Sequence, residues 1–171
     1  AMQEGHLKFP NNTLTFSNMG CTEHRRDTLR FYNVWDTAMT FRTDKMPASI
    51  QVDYLTPIVE PEEEGMVVFT FHAQAMKDWG SVMERFTLIT NDPIPSGRRG
   101  RKNFYVIADI YDDFASWTPE QRKNAPHLLA KEETYHFGEC QSGDEIRHDF
   151  LVTNIGKSNL VIHKVRSEEH T

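Results

Sequence analysis

The sequence has 171 residues, a formal net charge of −6, 38% hydrophobic and 11% aromatic residues. An acidic chain with both signs interspersed lacks the one-sided basic excess that nucleic-acid binding calls for, and its apolar fraction supports a packed core rather than a disordered chain. No stretch approaches the roughly 20 apolar residues that span a bilayer.

Residues 1–5 read as a remnant joined to a mature chain whose signal peptide has been removed, which predicts a periplasmic, cell-surface or secreted protein. From there strand signals dominate. Short candidates at residues 7–9 and 13–16 precede β-branched and aromatic runs at 27–31, 39–43, 49–54, 66–72, 86–90 and 103–111. Turn residues separate them: Asn18-Met19-Gly20, Asp44 to Pro47, Pro61 to Gly65, Asp78-Trp79-Gly80, and Asn91 through Gly100. Val67, Phe69 and Phe71 share one face, as do Leu29 with Phe31 and Met39 with Phe41, the period-two pattern of half-buried strands. Seven or eight evenly spaced strands without a long helical pattern predict an all-β sandwich over residues 1–112.

Residues 113–130 break the alternation. Thr118-Pro119-Glu120-Gln121 has a cap residue, proline at the first helical position and glutamine three after the cap. Asn124-Ala125-Pro126 ends the turn soon afterwards, so the segment reads as a linker with a short helix.

The sequence then begins again. A shift of 121 residues superposes Leu29 on Phe150, Phe31 on Val152, Asn33 on Asn154, Met39 on Leu160 and Phe41 on Ile162 without a gap. One long repeat of this kind is a duplicated domain. Residues 131–165 therefore read as the opening strands, about three, of a truncated second domain. Residues 166–171 read as a non-native tail.

The segment Tyr135-His136-Phe137-Gly138-Glu139-Cys140, then Gly143-Asp144, Phe150 to Gly156, and Leu160-Val161-Ile162 resembles a bacterial family of unknown function that is frequent in Bacteroidetes. That family is built from tandem immunoglobulin-like domains related to the Hydin-like and major-sperm-protein-like groups. Its pattern is a Phe-Gly opener, a Phe-x-x-x-Asn-x-Gly turn and a Leu-x-Ile strand. The first copy matches more loosely, since Phe31-Tyr32-Asn33-Val34-Trp35 lacks the turn glycine. Trp79-Gly80 and the linker ending Asn124-Ala125-Pro126 are also similar to tandem members. The resemblance implies an immunoglobulin-like β-sandwich plus the truncated second one. Its motifs are turn and core motifs: Asn154 and Gly156 are expected where left-handed backbone angles are needed, and none is a nucleophile, base or ligand.

Candidate chemistry is sparse. Cys21 and Cys140 form no CxxC or zinc pattern and are expected as free structural thiols, with pairing left open. Among eight histidines there is no HxH or HExxH spacing. His136, His148 and His163 fall on the three expected strands of the second copy and are the only candidates for a metal site, against the simpler reading of scattered surface histidine. No GxSxG elbow supports a hydrolase, Asp112-Asp113 reads as a solvated linker start, and Glu62 to Glu64 as a solvated turn. Arg98, Arg99, Arg101 and Lys102 make the sharpest charge feature, a cationic hairpin tip that would take an anionic glycan, headgroup or acidic patch. Trp35, Trp79 and Trp117 raise sugar stacking.

No cofactor is expected and no enzyme. The expectation is a binding or scaffold module that meets protein partners through strand edges or end loops, with self-association through the truncated domain. The alternative is an accessory carbohydrate- or metal-binding domain of an envelope system.

Overall fold

The computed structural model describes residues 1–93 and 100–166. The chain divides into two units, Ala1–Phe114 and Ala115–Thr171.

Among its described residues the first unit holds ten strands: β1 (Met2–Glu4), β2 (Leu7–Phe9), β3 (Thr13–Gly20), β4 (His24–Asn33), β5 (Met39–Asp44), β6 (Ile50–Tyr54), β7 (Ile58–Val59), β8 (Glu64–His72), β9 (Gly80–Thr90) and β10 (Arg101–Tyr111), with one helical turn, α1 (Ala73–Met76). They build two sheets, ordered β1-β2-β4-β8-β6 and β3-β10-β9-β5-β7. Among the described residues only β3 with β10 is parallel. The first unit is an all-β, immunoglobulin-like sandwich: the strand pattern predicted the sandwich, and the family resemblance implied its immunoglobulin-like form. The two-residue β7, the N-terminal β1 and α1 lack a periodic signal of their own.

Alternation sets the inner faces. Gly65, Val67, Phe69 and Phe71 of β8 are buried, as are Leu29, Phe31 and Asn33 of β4 and every even residue of β10 from Lys102 to Ile110. Phenylalanines join the two sheets: Phe69 lies 4.9 Å from Phe86 between ring centroids, Phe31 5.4 Å from Phe41, and Phe16 stacks on Phe71 at 5.8 Å. Each fully buried ring contributes about 1.5–3 kcal/mol through lost contact with water.

One irregularity re-aims β3. Its pairing with β10 shifts between Ala108, opposite Phe16, and Ile110, opposite Met19. The extra residue is accommodated by Asn18 at φ 53°, a left-handed conformation that asparagine tolerates better than most residues. The Arg25 guanidinium caps the bulge by donating to Ser17 O at 2.7 Å and Asn18 O at 2.9 Å, and it also grips Glu23.

The second unit is sparser than predicted. The short helix α2 (Pro119–Lys123) has the expected box: Gln121 N–H donates to Thr118 Oγ1, and Thr118 N–H donates to Gln121 Oε1 at 2.8 Å. Its strands are β11 (Leu128–Ala130), which the sequence placed in the linker, and β12 (Val152–Asn154). Residues 134–141 and 160–165, where two further strands were expected, form no ladder. The reason lies in pairing. Their first-unit counterparts β3 and β5 are held by β10 and β9, and a strand without a neighbour has no ladder to join.

Phe69→Ala should cost about 3–5 kcal/mol, because it leaves a void beside the Phe86 and Phe104 rings in the buried core. Chemical denaturation followed by near-ultraviolet circular dichroism measures it.

Candidate functional site

The cationic tip expected at residues 98–102 is not what the structure holds at its described end. Arg98 and Arg99 lie outside the described residues. Arg101 is half exposed and paired with Asp44. Lys102 is the correction: its side chain is fully buried, because it shares the inward parity of Phe104 and Val106 on β10. Its Nζ donates to Asp92 Oδ1 at 3.0 Å, to Thr90 Oγ1 and to Gly100 O at 3.3 Å. Asp92 also accepts the Thr90 hydroxyl and the His6 backbone N–H, the latter at 2.9 Å. Burial works to raise the Asp92 pKa, but hydrogen bonds from Thr90, His6 and Lys102, with the lysine's charge, outweigh it and hold the carboxyl below its ordinary 3.8. Burial pushes Lys102 down, opposed by Asp92. This cluster closes the β9–β10 end of the sandwich and offers no charge to a ligand. Gly100 belongs to it: at φ +58° an added Cβ would sit 1.9 Å from Thr90 O.

The two units share a second feature, a turn built on asparagine. In the first, Asn33 Nδ2 donates to Thr37 O, Asn33 Oδ1 accepts from Trp35 N–H, and Val34 N–H donates to His6 O. In the second, Asn154 Nδ2 donates to Ser158 O, Asn154 Oδ1 accepts from Gly156 N–H, and Ile155 N–H donates to His127 O. The ladders match too, Leu7 facing Asn33 and Leu128 facing Asn154. Every one of these residues is displaced by the same 121 positions. The repeat is thus a repeat of hydrogen bonds as well as of letters.

Left-handed backbone is not the reason for these residue types. Neither Asn154 nor Gly156 has positive φ. Asn154 acts through its side-chain amide. Gly156 is needed for close approach, since a Cβ there would lie 2.3 Å from Ala125 O and 2.5 Å from His127 N. The first unit has Trp35 at that place, its ring stacked on His6 at 5.6 Å.

What differs is cover. Leu7, Phe16 and Phe31 are 0%, 6% and 1% exposed; their counterparts Leu128, Phe137 and Val152 are 44%, 56% and 49% exposed. Phe150 and Ile162, matching Leu29 and Phe41, are likewise exposed. The second unit therefore exposes several large apolar side chains around β12, whose ladder partner among the described residues is β11.

The histidines named from sequence do not converge. His148 stacks on Tyr135 at 3.7 Å and meets Glu132 at 2.8 Å, while His136 and His163 are exposed. Among the described residues no group of three or more His, Cys, Asp or Glu is placed to hold a metal ion. Cys21 and Cys140 are free thiols. Sequence reading missed His24 and His72, which the β4–β8 register sets face to face with rings 5.6 Å apart, beside a cleft of about 560 Å³ shared with Glu23. No spacing rule links residues that far apart. Trp79 packs on the first core, and Trp117 lines a cleft of about 440 Å³ with Thr118, Gln121 and Ser158.

No helix among the described residues is long and apolar enough to cross a membrane. No family description and no curated protein matches the sequence. Solved structures similar to the chain include a Porphyromonas gingivalis W83 protein of unknown function, with 16% identity and a TM-score of 0.49 over 61% of this chain and 46% of that one. The chain thus spans less than half of that protein's length. The ASH/PapD-like domain 7 of human CEP192 gives 12% identity and 0.47 over 65% of this chain and 91% of that one. The Caenorhabditis elegans MSP family member WR4 gives 7% and 0.40 over 63% and 100%.

Asp92→Asn strands the buried Lys102 charge and should cost about 3–5 kcal/mol at neutral pH. Because the folded Asp92 pKa lies below 3.8, its stabilisation is complete above that value and is lost as pH falls through the folded pKa. The gap between wild type and Asp92→Asn should accordingly narrow in acid, which urea melts across the acid range would show. Asn33→Ala removes a buried amide with donor and acceptor both engaged and should cost about 1–3 kcal/mol, read in the same melts.

Proposed function

We propose that this chain is a non-catalytic binding or scaffold module of the cell envelope or extracellular space, one of the tandem immunoglobulin-like proteins its motifs resemble. It meets protein partners through the second unit. The observation that carries this reading is the set of large apolar side chains, Phe137, Phe150, Val152 and Ile162, each about half exposed next to an open strand edge. Soluble proteins rarely leave such a patch uncovered, and edge backbone groups pair readily with another strand. The first unit supports the same reading, since its inward residues are occupied by packing. Fold alone assigns no chemistry.

A carbohydrate-binding role is the second reading, and the cleft beside Trp117 is what favours it. A glycan array and metal analysis of the purified protein separate the two. The protein-binding reading expects no glycan retention and substoichiometric zinc and copper. It also expects enhanced 8-anilinonaphthalene-1-sulfonate fluorescence that falls severalfold in Phe150→Glu. Retention on a defined glycan, or one metal ion per chain, would overturn it.

A further inference from the structure

We infer that His24 and His72 form a two-histidine site for an exchangeable divalent transition-metal ion, zinc, nickel or copper, which staples β4 to β8 at one end of the first unit. The site goes beyond the binding-module reading and does not rest on it.

The ladder puts the pair in place. His24 begins β4, His72 ends β8, and the two stand directly opposite in the register. The bonds around them show which kind of antiparallel pair this is. Ala73 N–H donates to Glu23 O at 3.0 Å, one step along the ladder, while the His72 N–H turns the other way and donates to Ser49 O at 2.8 Å. His24 and His72 are therefore a non-hydrogen-bonded pair, the arrangement in which facing side chains come closest. Both leave the sheet on its outer side, since His24 alternates with the parity of buried Leu29 and Phe31, and His72 with that of buried Phe69 and Phe71.

Core packing explains neither imidazole. His24 is exposed and His72 half-buried, although Phe71 and Ala73 on either side of His72 are buried. His72 also occupies the N-cap of α1, a place that favours serine, threonine, aspartate or asparagine, and its side chain makes no cap hydrogen bond. The neighbouring cation is tied down elsewhere: Arg25 leaves by the other face of β4, and its guanidinium is held by Glu23 Oε2, Ser17 O and Asn18 O. The two rings instead face each other, centroids 5.6 Å and planes 30° apart, beside the cleft of about 560 Å³ that Thr22, Glu23 and Gln74 also line.

That separation suits a shared ion. Zinc lies about 2.0–2.1 Å from an imidazole nitrogen, hence about 3.2 Å from the ring centre, and a tetrahedral angle then sets two centroids about 5 Å apart. The small difference is closed by a turn about χ2, a soft torsion in histidine. Imidazole suits zinc, nickel and copper, whereas magnesium and calcium take oxygen ligands, and this selects the class of ion. Two protein ligands leave the other positions to water or to a donor from a partner, since Glu23 is already engaged by Arg25. The ion therefore exchanges: it enters from solution and leaves on dialysis, so the purified chain carries little metal.

The intact chain, treated with chelator and dialysed, is titrated with zinc chloride by calorimetry and with nickel chloride by amide-resolved NMR. The expected result is one zinc ion per chain, nickel broadening centred on the amides around His24 and His72, and a urea midpoint raised by zinc. His24→Gln and His72→Gln should each weaken zinc binding at least about tenfold and abolish the midpoint shift. His136→Gln and His163→Gln should leave both unchanged. Urea melts without metal report that each variant is folded, and the nickel map of the unmodified chain tests the site without any substitution. No zinc binding, broadening centred on His136, His148 or His163, or a loss in only one of the two variants overturns the assignment. Zinc that dialysis does not remove also overturns it, because such an ion has more ligands than two histidines supply.

Discussion

The ladder between β4 and β8 is the constraint on which the first unit depends. It aligns nine residues of β4 with β8, and β8 in turn pairs with β6 on its other side. A strand held on both sides has its backbone groups satisfied, so its alternate side chains are free to serve packing alone. Val67, Phe69 and Phe71 project from it into the rings and aliphatic chains of the opposite sheet. With that ladder present, β4 runs for ten residues and buries Leu29, Phe31 and Asn33. In the second unit, the equivalent sequence is strand only beside β11.

Two polar devices pin the ends of this sandwich. Lys102, Asp92 and Thr90 lock the β9–β10 end, and Asn33 ties the turn after β4 to the Val59 and Glu60 carbonyls. Each is buried and each has its partners, so each costs little in the folded state and much if one member is removed. Both act on connections between strands, where an apolar side chain could not specify one geometry.

The sequence was most readable where chemistry is local. Alternation marked the long strands, and Thr118 to Gln121 marked a capped helical turn. The displacement of 121 residues marked the two matching turns, down to the hydrogen bonds of their asparagine side chains. Lys102 was readable as well, since it has the parity of Phe104 and Val106, but its neighbours Arg98, Arg99 and Arg101 made it look like part of an exposed tip. What could not be read is what depends on a partner far along the chain. Residues 134–141 and 160–165 have strand-like patterns without the strands that would pair with them. His24 and His72 meet only because of register. Gly156 was read as a residue for unusual backbone angles, whereas its value lies in the space a side chain would have filled.

That last position and its counterpart in the first unit place opposite steric demands on two similar turns. Similar neighbouring domains risk exchanging strands as they fold. Trp35 and Gly156 sit at corresponding places with opposite demands, one filling a gap over a histidine ring and the other letting main chain close in. A hybrid turn would either leave a hole or collide with Ala125. Each asparagine turn is thereby sterically matched to the strand it already pairs with.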